Sequence, residues 1–183
     1  MSSLTWLGRP DLAALACPYC GRTPDAADPG TLAAEQAWGF VGAGLTAHGR
    51  RTAALLLTPL PDSRAALLSC LWVAPGHTGR GQGRRLVQAA AAGLVSREVE
   101  AILARGARQA TCGAPPSDFL RAVGFTRALD ERLDPGRPAG KLWRLDLSTT
   151  VTTPSGLRGL VEQLLLGLRP ARPEPAGRVT GDP

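Results

Sequence analysis

Leu71-Trp72-Val73-Ala74-Pro75-Gly76-His77-Thr78-Gly79-Arg80-Gly81-Gln82-Gly83-Arg84-Arg85-Leu86 decides how this chain is read. An apolar strand, Ala66 to Val73, runs into a turn with four glycines between Pro75 and Gly83. A helix follows, from about Arg84 to Glu98, whose Leu86, Ala90 and Leu94 recur every fourth residue and mark a buried face. Glycines let backbone come close to a ligand, and the start of a helix offers unbonded N–H groups with a partial positive charge. A strand, a glycine turn and a helix therefore form an anion site suited to a pyrophosphate. Two common phosphate signatures do not fit. A P-loop needs Lys-Ser/Thr after its last glycine, and the only lysine is Lys141. The dinucleotide fingerprint would place its third glycine at Arg84.

Upstream, Leu4 and Trp6 begin a short strand and Pro10-Asp11 opens a short helix. Residues 21–30 read as loop, and Thr31 to Trp38 as a helix with Thr31 as its cap. Phe40 to Thr46 and Arg51 to Thr58 form a hairpin across Ala47-His48-Gly49-Arg50. Downstream, Ala101 to Arg105 reads as a strand, Ser117 to Val123 as a short helix, and Phe125–Leu129 and Lys141–Leu147 as two more strands. Leu157, Leu160, Val161, Leu164, Leu165 and Leu168 share one helical face behind Thr153-Pro154. The expected organisation is a domain over 1–150, an amphipathic helix over 151–168 and a loose Pro-rich tail over 169–183.

The chain has 183 residues, 44% of them apolar and 20% charged, an ordinary globular balance without an apolar run long enough for a membrane helix. No basic region precedes an apolar stretch at the N-terminus, so a cytoplasmic protein is expected. The formal charge is +6, with 21 basic residues of which 20 are arginine; asparagine is absent. Such a composition follows GC-rich codons and points to a bacterial source. The arginines are scattered rather than striped beside aromatics, which argues against a nucleic-acid partner. Cys17-Pro18-Tyr19-Cys20 has metal or redox spacing. No second close pair accompanies it and it follows a helix instead of opening one, so two ordinary thiols in a tight turn are expected, without metal.

Val73-x-Pro75 followed by Gly79-x-Gly81-x-Gly83 resembles the acyl-CoA signature of the GNAT acetyltransferases. Phe119-Leu120-Arg121-Ala122-Val123-Gly124-Phe125 resembles that family's Phe-Tyr-x-x-x-Gly-Phe segment, and the order of elements over residues 3–147 is similar to the family's. The resemblance implies an α/β (α+β) fold, a single domain with a mostly antiparallel mixed sheet flanked by helices. It implies acetyl-CoA as co-substrate, an amine on a small molecule or peptide as acceptor, and direct attack in a ternary complex. Main chain at Thr78, Gly79, Arg80, Gly81, Gln82, Gly83 and Arg84 would hold the pyrophosphate. Main chain at Leu71, Trp72 and Val73 would hold pantetheine, with Val73 polarising the thioester.

Three positions depart from the family. Thr78 stands where Gln or Arg is usual, Leu120 where tyrosine commonly serves as acid, and Gly113 near a common asparagine. The acid is thus unassigned, and nothing in the sequence brings the single tyrosine, Tyr19, to the site. Asp118 is the first candidate for base, with Glu35 and Asp62 as other carboxylates bordering the cleft. The acceptor cleft is expected near residues 9–40, the hairpin tips and 130–140. The competing reading is a non-catalytic acyl-CoA-binding module that presents a surface, such as the 154–168 helix, to a partner. That helix is otherwise expected to complete the domain's own core, with a homodimer contact as the remaining alternative.

Overall fold

The structure, a computed structural model, describes residues 2–61, 63–109, 111, 113–128 and 141–147. The expected helix over 151–168, the tail over 169–183, the loop over 134–140, Asp62 and Cys112 lie outside the described residues. Seven strands form one sheet in the order β1-β2-β3-β4-β5-β7-β6: β1 (Ser3–Leu7), β2 (Gly42–Ala47), β3 (Arg50–Pro59), β4 (Ala65–Val73), β5 (Ala101–Gly106), β6 (Thr126–Arg127) and β7 (Lys141–Asp146). Only β4 and β5 run parallel, and the crossover such a pair requires is supplied by α2 (Gln82–Val95). The sheet is therefore mixed and mostly antiparallel, as expected.

Helix α2 buries Gly83, Leu86, Val87, Ala90 and Leu94 against β2, β3 and β4. It starts two residues earlier than the sequence suggests because Gly81, at φ +74°, is its N-cap. Helix α1 (Pro29–Trp38) packs on β3 and on a 3-10 helix at Arg9–Ala14. Its cap is Asp28, not Thr31: the Asp28 carboxylate accepts the Thr31 N–H at 3.0 Å, and Pro29 takes the first helical position, where a missing N–H costs nothing. Helix α3 (Ser117–Ala122) precedes β6 and carries Leu120, which is wholly buried.

Strand β4 organises everything that follows. Its pairing with β3 runs from Ala53↔Val73 to Pro59↔Ala66, broken by a bulge that leaves Ser69 without a partner between Leu57↔Leu68 and Leu56↔Cys70. On its other edge it pairs with β5 only from Ala65↔Ala101 to Leu68↔Ala104. The parallel pairing ends where the bulge begins. A bulge increases local twist and re-aims a strand, and here β4 continues to Val73 without a strand partner on that side among the described residues. Beyond the split, β5 stays paired to β7 through Gly106↔Lys141.

Candidate active site

The Ala74 N–H donates to the Thr52 carbonyl at 2.8 Å, across the β3 edge. Main-chain groups alternate between edges along an antiparallel strand. Trp72 and Cys70 therefore direct theirs toward β3, and Leu71 and Val73 direct theirs into the gap beside β5. Of the three residues expected to bond pantetheine, Leu71 and Val73 present N–H and C=O to an open edge. Trp72 spends its groups within the sheet.

The glycine turn follows at once. Gly76, Gly79 and Gly81 all adopt positive φ, and a Cβ on Gly79 or Gly81 would meet no atom within 4 Å. The first helical bond is Arg85 N–H to the Gly81 carbonyl at 3.0 Å, and no side chain caps the helix. The amides of Gln82, Gly83 and Arg84 are thus left without helical acceptors. A cavity of about 320 Å³ touches this end of α2, lined by His48, His77, Arg80, Gly81, Gln82 and Arg85 among others. The Gln82 Oε1 is buried there without a hydrogen-bond partner among the described residues. A helix N-terminus surrounded by arginine and histidine favours an anion by polarity as well as by shape.

The arginines divide. Arg84 donates to the Ala122 carbonyl at 3.2 Å and Arg85 to Ser2 at 2.9 and 3.0 Å, whereas exposed Arg80 makes no hydrogen bond or ion pair among the described residues. Gly83 has a second reason to be glycine. A Cβ there would lie 3.1 Å from the Phe119 ring and 3.9 Å from Val73, so its bareness lets α3 and β4 close on α2. Thr78 is exposed on the turn.

Across the sheet, a second cavity of about 330 Å³ opens between β3–β4 and the segment Leu12–Thr31. Leu12, Leu15, Val41, Leu56 and Trp72 give it apolar walls, and Arg22, Asp25 and Asp28 a charged rim. Ser69 and Cys70 form its floor. Burial pushes the Cys70 thiol up to about 12, with Cys17 and Cys20 nearby adding to the shift. Among the described residues no group of three or more His, Cys, Asp or Glu is arranged to hold a metal ion, and no helix is long and apolar enough to cross a membrane. The wall of this cavity between Leu12 and Thr31 falls inside the 9–40 stretch. The hairpin tip does not line it: His48 faces the other cavity.

The two faces meet at the open edge of β4, and a residue that sequence reasoning did not place stands at the junction. The Tyr19 hydroxyl donates to the Val73 carbonyl at 2.6 Å, from 54 residues away. No local pattern signals this contact; it follows from how the Cys17–Cys20 turn folds over the sheet. Asp118, the expected base, lines neither cavity. Its side chain is 91% exposed and pairs with Arg121 at 3.2 Å. Glu35 is held by Arg9, through the Arg9 N–H at 3.3 Å and a guanidinium nitrogen at 3.4 Å.

The model of the Acetyltransferase (GNAT) family matches residues 14–112. No curated protein matches the chain. Among solved structures, yncA from Salmonella typhimurium with its cofactor acetyl-CoA is similar at 18% identity and a TM-score of 0.56, over 80% of this chain and 94% of that one. The ribosomal-protein-S18-alanine N-acetyltransferase of Escherichia coli is similar at 20% identity and 0.55, over 80% and 94%. A GNAT-family acetyltransferase from Staphylococcus aureus is similar at 12% identity and 0.59, over 80% and 99%. At these identities the likeness is one of fold.

Proposed function

Since the chain belongs to the GNAT acetyltransferase family, we propose that it moves an acetyl or other short acyl group from acyl-CoA to an amine, by direct attack within a ternary complex. One observation carries this reading: amides without helical acceptors at the start of α2 adjoin a main-chain edge at Leu71 and Val73. Among the described residues that edge has no strand partner, and its Val73 carbonyl is met only by the Tyr19 hydroxyl. A ligand with a diphosphate at one end and an amide-bearing arm at the other matches that succession. The amides of Gly79 to Arg84 hold the diphosphate, with Arg80 adding charge. The edge of β4 pairs with the arm as a neighbouring strand would.

The chemistry then needs little from side chains. The ammonium first gives one proton to water. The free amine nitrogen then bonds to the thioester carbon, charge grows on the carbonyl oxygen, and the C–S bond breaks with its electron pair on sulfur. The proton shed by the nitrogen balances the one the sulfur takes up. A main-chain N–H from Val73 or Leu71 aimed at that oxygen strengthens as charge develops, and donors of this kind contribute about 3 kcal/mol to a barrier. The amine approaches from the Leu12–Thr31 cavity, whose apolar walls suit an acceptor with an apolar body and whose rim of Arg22, Asp25 and Asp28 carries two carboxylates against one guanidinium toward its amine. Binding acyl-CoA on one side of the sheet and the amine on the other brings them together at the split between β4 and β5, which turns a bimolecular step into an intramolecular one.

Titration calorimetry with acetyl-CoA tests the reading, with adenosine 3′,5′-bisphosphate as a control lacking the arm. The expected result is a dissociation constant of tens of micromolar or tighter for acetyl-CoA and weaker binding of the control. Thiol release over a panel of small amines and peptide N-termini is the second measurement. No binding overturns the proposal. Binding without thiol release on any amine transfers the chain to the alternative, a module that senses acyl-CoA without turning it over.

A further inference from the structure

We propose that Tyr19 is a catalytic residue, the proton donor to the sulfur that leaves when the acyl group is transferred. The inference rests on the reading above, in which acyl-CoA lies along the open edge of β4.

Position is the first argument. Of the side chains described around this edge, Tyr19 alone brings a hydroxyl to the main chain of Val73, at 2.6 Å. The N–H and C=O of one residue leave an extended strand on the same side, so the hydroxyl stands beside the Val73 N–H and at the mouth of the gap. It reaches that point from the acceptor face, whereas the amides of Gly79 to Arg84 lie beyond the strand on the α2 side. A group so placed faces the reacting atoms rather than the diphosphate.

Packing is the second. Tyr19 is 60% exposed, so burial does not explain its place. What fixes it is the turn beneath. Cys17 N–H donates to the Arg22 carbonyl and Gly21 N–H to the Cys17 carbonyl, both at 2.9 Å, with Gly21 at φ +69° closing the turn. Two main-chain bonds hold the base of the side chain while its tip keeps one bond, to Val73. A tip held by a single bond is free to exchange that acceptor for another.

The other protic groups near the edge are less suited. Cys70 belongs to a β4 residue whose main chain is engaged with β3, and burial raises its thiol to about 12. The Asp118 side chain is 91% exposed and held by Arg121 at 3.2 Å, with no contact to the β4 edge among the described residues. The balance closes with Tyr19. The amine nitrogen forms the C–N bond, the C–S bond breaks with its electron pair on sulfur, and the phenol proton passes to sulfur. The phenolate then recovers, through water, the proton that the attacking nitrogen sheds. Amine and thioester become amide and thiol, and Tyr19 is regenerated.

The chain contains one tyrosine, which makes the test clean. Tyr19→Phe deletes only the oxygen. The expected result is acetyl-CoA binding within about twofold of wild type by calorimetry, an unchanged melting temperature and a fall in kcat of roughly 100-fold, the usual scale for a lost general acid. The solvent deuterium isotope effect on kcat should disappear with it. Growth on 3-fluorotyrosine replaces the same position alone, and its more acidic phenol should move the alkaline limb of the kcat profile to lower pH. A Tyr19→Phe chain with wild-type kcat and isotope effect overturns the proposal. So does a fluorotyrosine profile that superposes on wild type. Loss of acetyl-CoA binding in Tyr19→Phe, with kcat kept at saturation, also overturns it and makes Tyr19 a cofactor anchor. Failure of the wild-type chain to bind acetyl-CoA is a separate result, since it removes the transferase reading itself.

Discussion

On the α2 side of β4 the site is made of main chain: amides at the start of the helix, glycines at positive φ, and the N–H and C=O groups of Leu71 and Val73. On the α1 side it is made of side chains: apolar walls from Leu12, Leu15 and Trp72, a rim of Asp25 and Asp28, and the Tyr19 hydroxyl. A main-chain site asks of the sequence only that certain positions carry no side chain. A side-chain site can change its whole chemistry by substitution without disturbing the sheet. Under the proposed function, the main-chain half fixes the acyl-CoA and the side-chain half is free to change acceptor by substitution.

The largest effect should come from filling the main-chain half. Gly81→Glu places a carboxylate in the space left open beside the amides and forces a side chain onto φ +74°. Left-handed backbone costs a non-glycine residue about 1–2 kcal/mol. Binding should fall by more than about 100-fold, equivalent to roughly 3 kcal/mol. Gly39→Glu is the matched control: it has φ +76° and equally open space, but closes α1. It should lose similar stability in denaturant unfolding and keep acetyl-CoA affinity. If both variants bind alike, the amides of the turn do not hold the diphosphate and the division into two kinds of site fails.

The same division governs what could be read without coordinates. The glycine turn, the 86–90–94 face of α2 and the hairpin across residues 47–50 are local patterns, written in spacing and in residues with special backbone freedom. They appear in the structure within two or three residues. The bulge at Ser69 is not local, because it is defined against β3 and by the end of pairing with β5. Tyr19 reaching Val73 spans 54 positions and depends on where the Cys17–Cys20 turn docks. The cap of α1 differs from expectation for a smaller reason: Asp28 and Thr31 can both cap, and Pro29 at the first helical position decides for Asp28. The glycine turn and the start of α2 are therefore legible in the sequence, and the bulge and the Tyr19–Val73 contact are not.

A smaller effect tests the α1 side from within. Cys70 sits in the floor of the Leu12–Thr31 cavity with its thiol pushed from 9.0 up to about 12, first by burial and then by Cys17 and Cys20. The sign follows from which state ionises first. Below about pH 9 the thiol is protonated whether the chain is folded or not, and its contribution is fully present. Between 9 and 12 the unfolded chain loses the proton and the folded one keeps it, so stability falls as pH rises. Urea unfolding at pH 8 and pH 10 should show wild type losing roughly 1 kcal/mol more than Cys70→Ala over that interval. Equal losses would mean that water reaches Cys70 freely, and that the floor of the cavity is wetter than its apolar walls imply.

The smallest expected effect belongs to a residue on neither side. Asp118 lies in the first turn of α3, 91% exposed and ion-paired with Arg121. A base that accepts a proton from an amine must reach that amine directly or through one water, and Asp118 lines neither the acceptor cavity nor the anion cavity. Exposed pairs of this kind contribute little to stability. Asp118→Asn should therefore change kcat/KM for thiol release by less than twofold and leave its pH profile in place. A tenfold fall with a displaced acidic limb would assign the base to α3. It would also move the acceptor's approach from the Leu12–Thr31 cavity to the far side of the β4–β5 split, so this one substitution tests which side of the opening the amine enters.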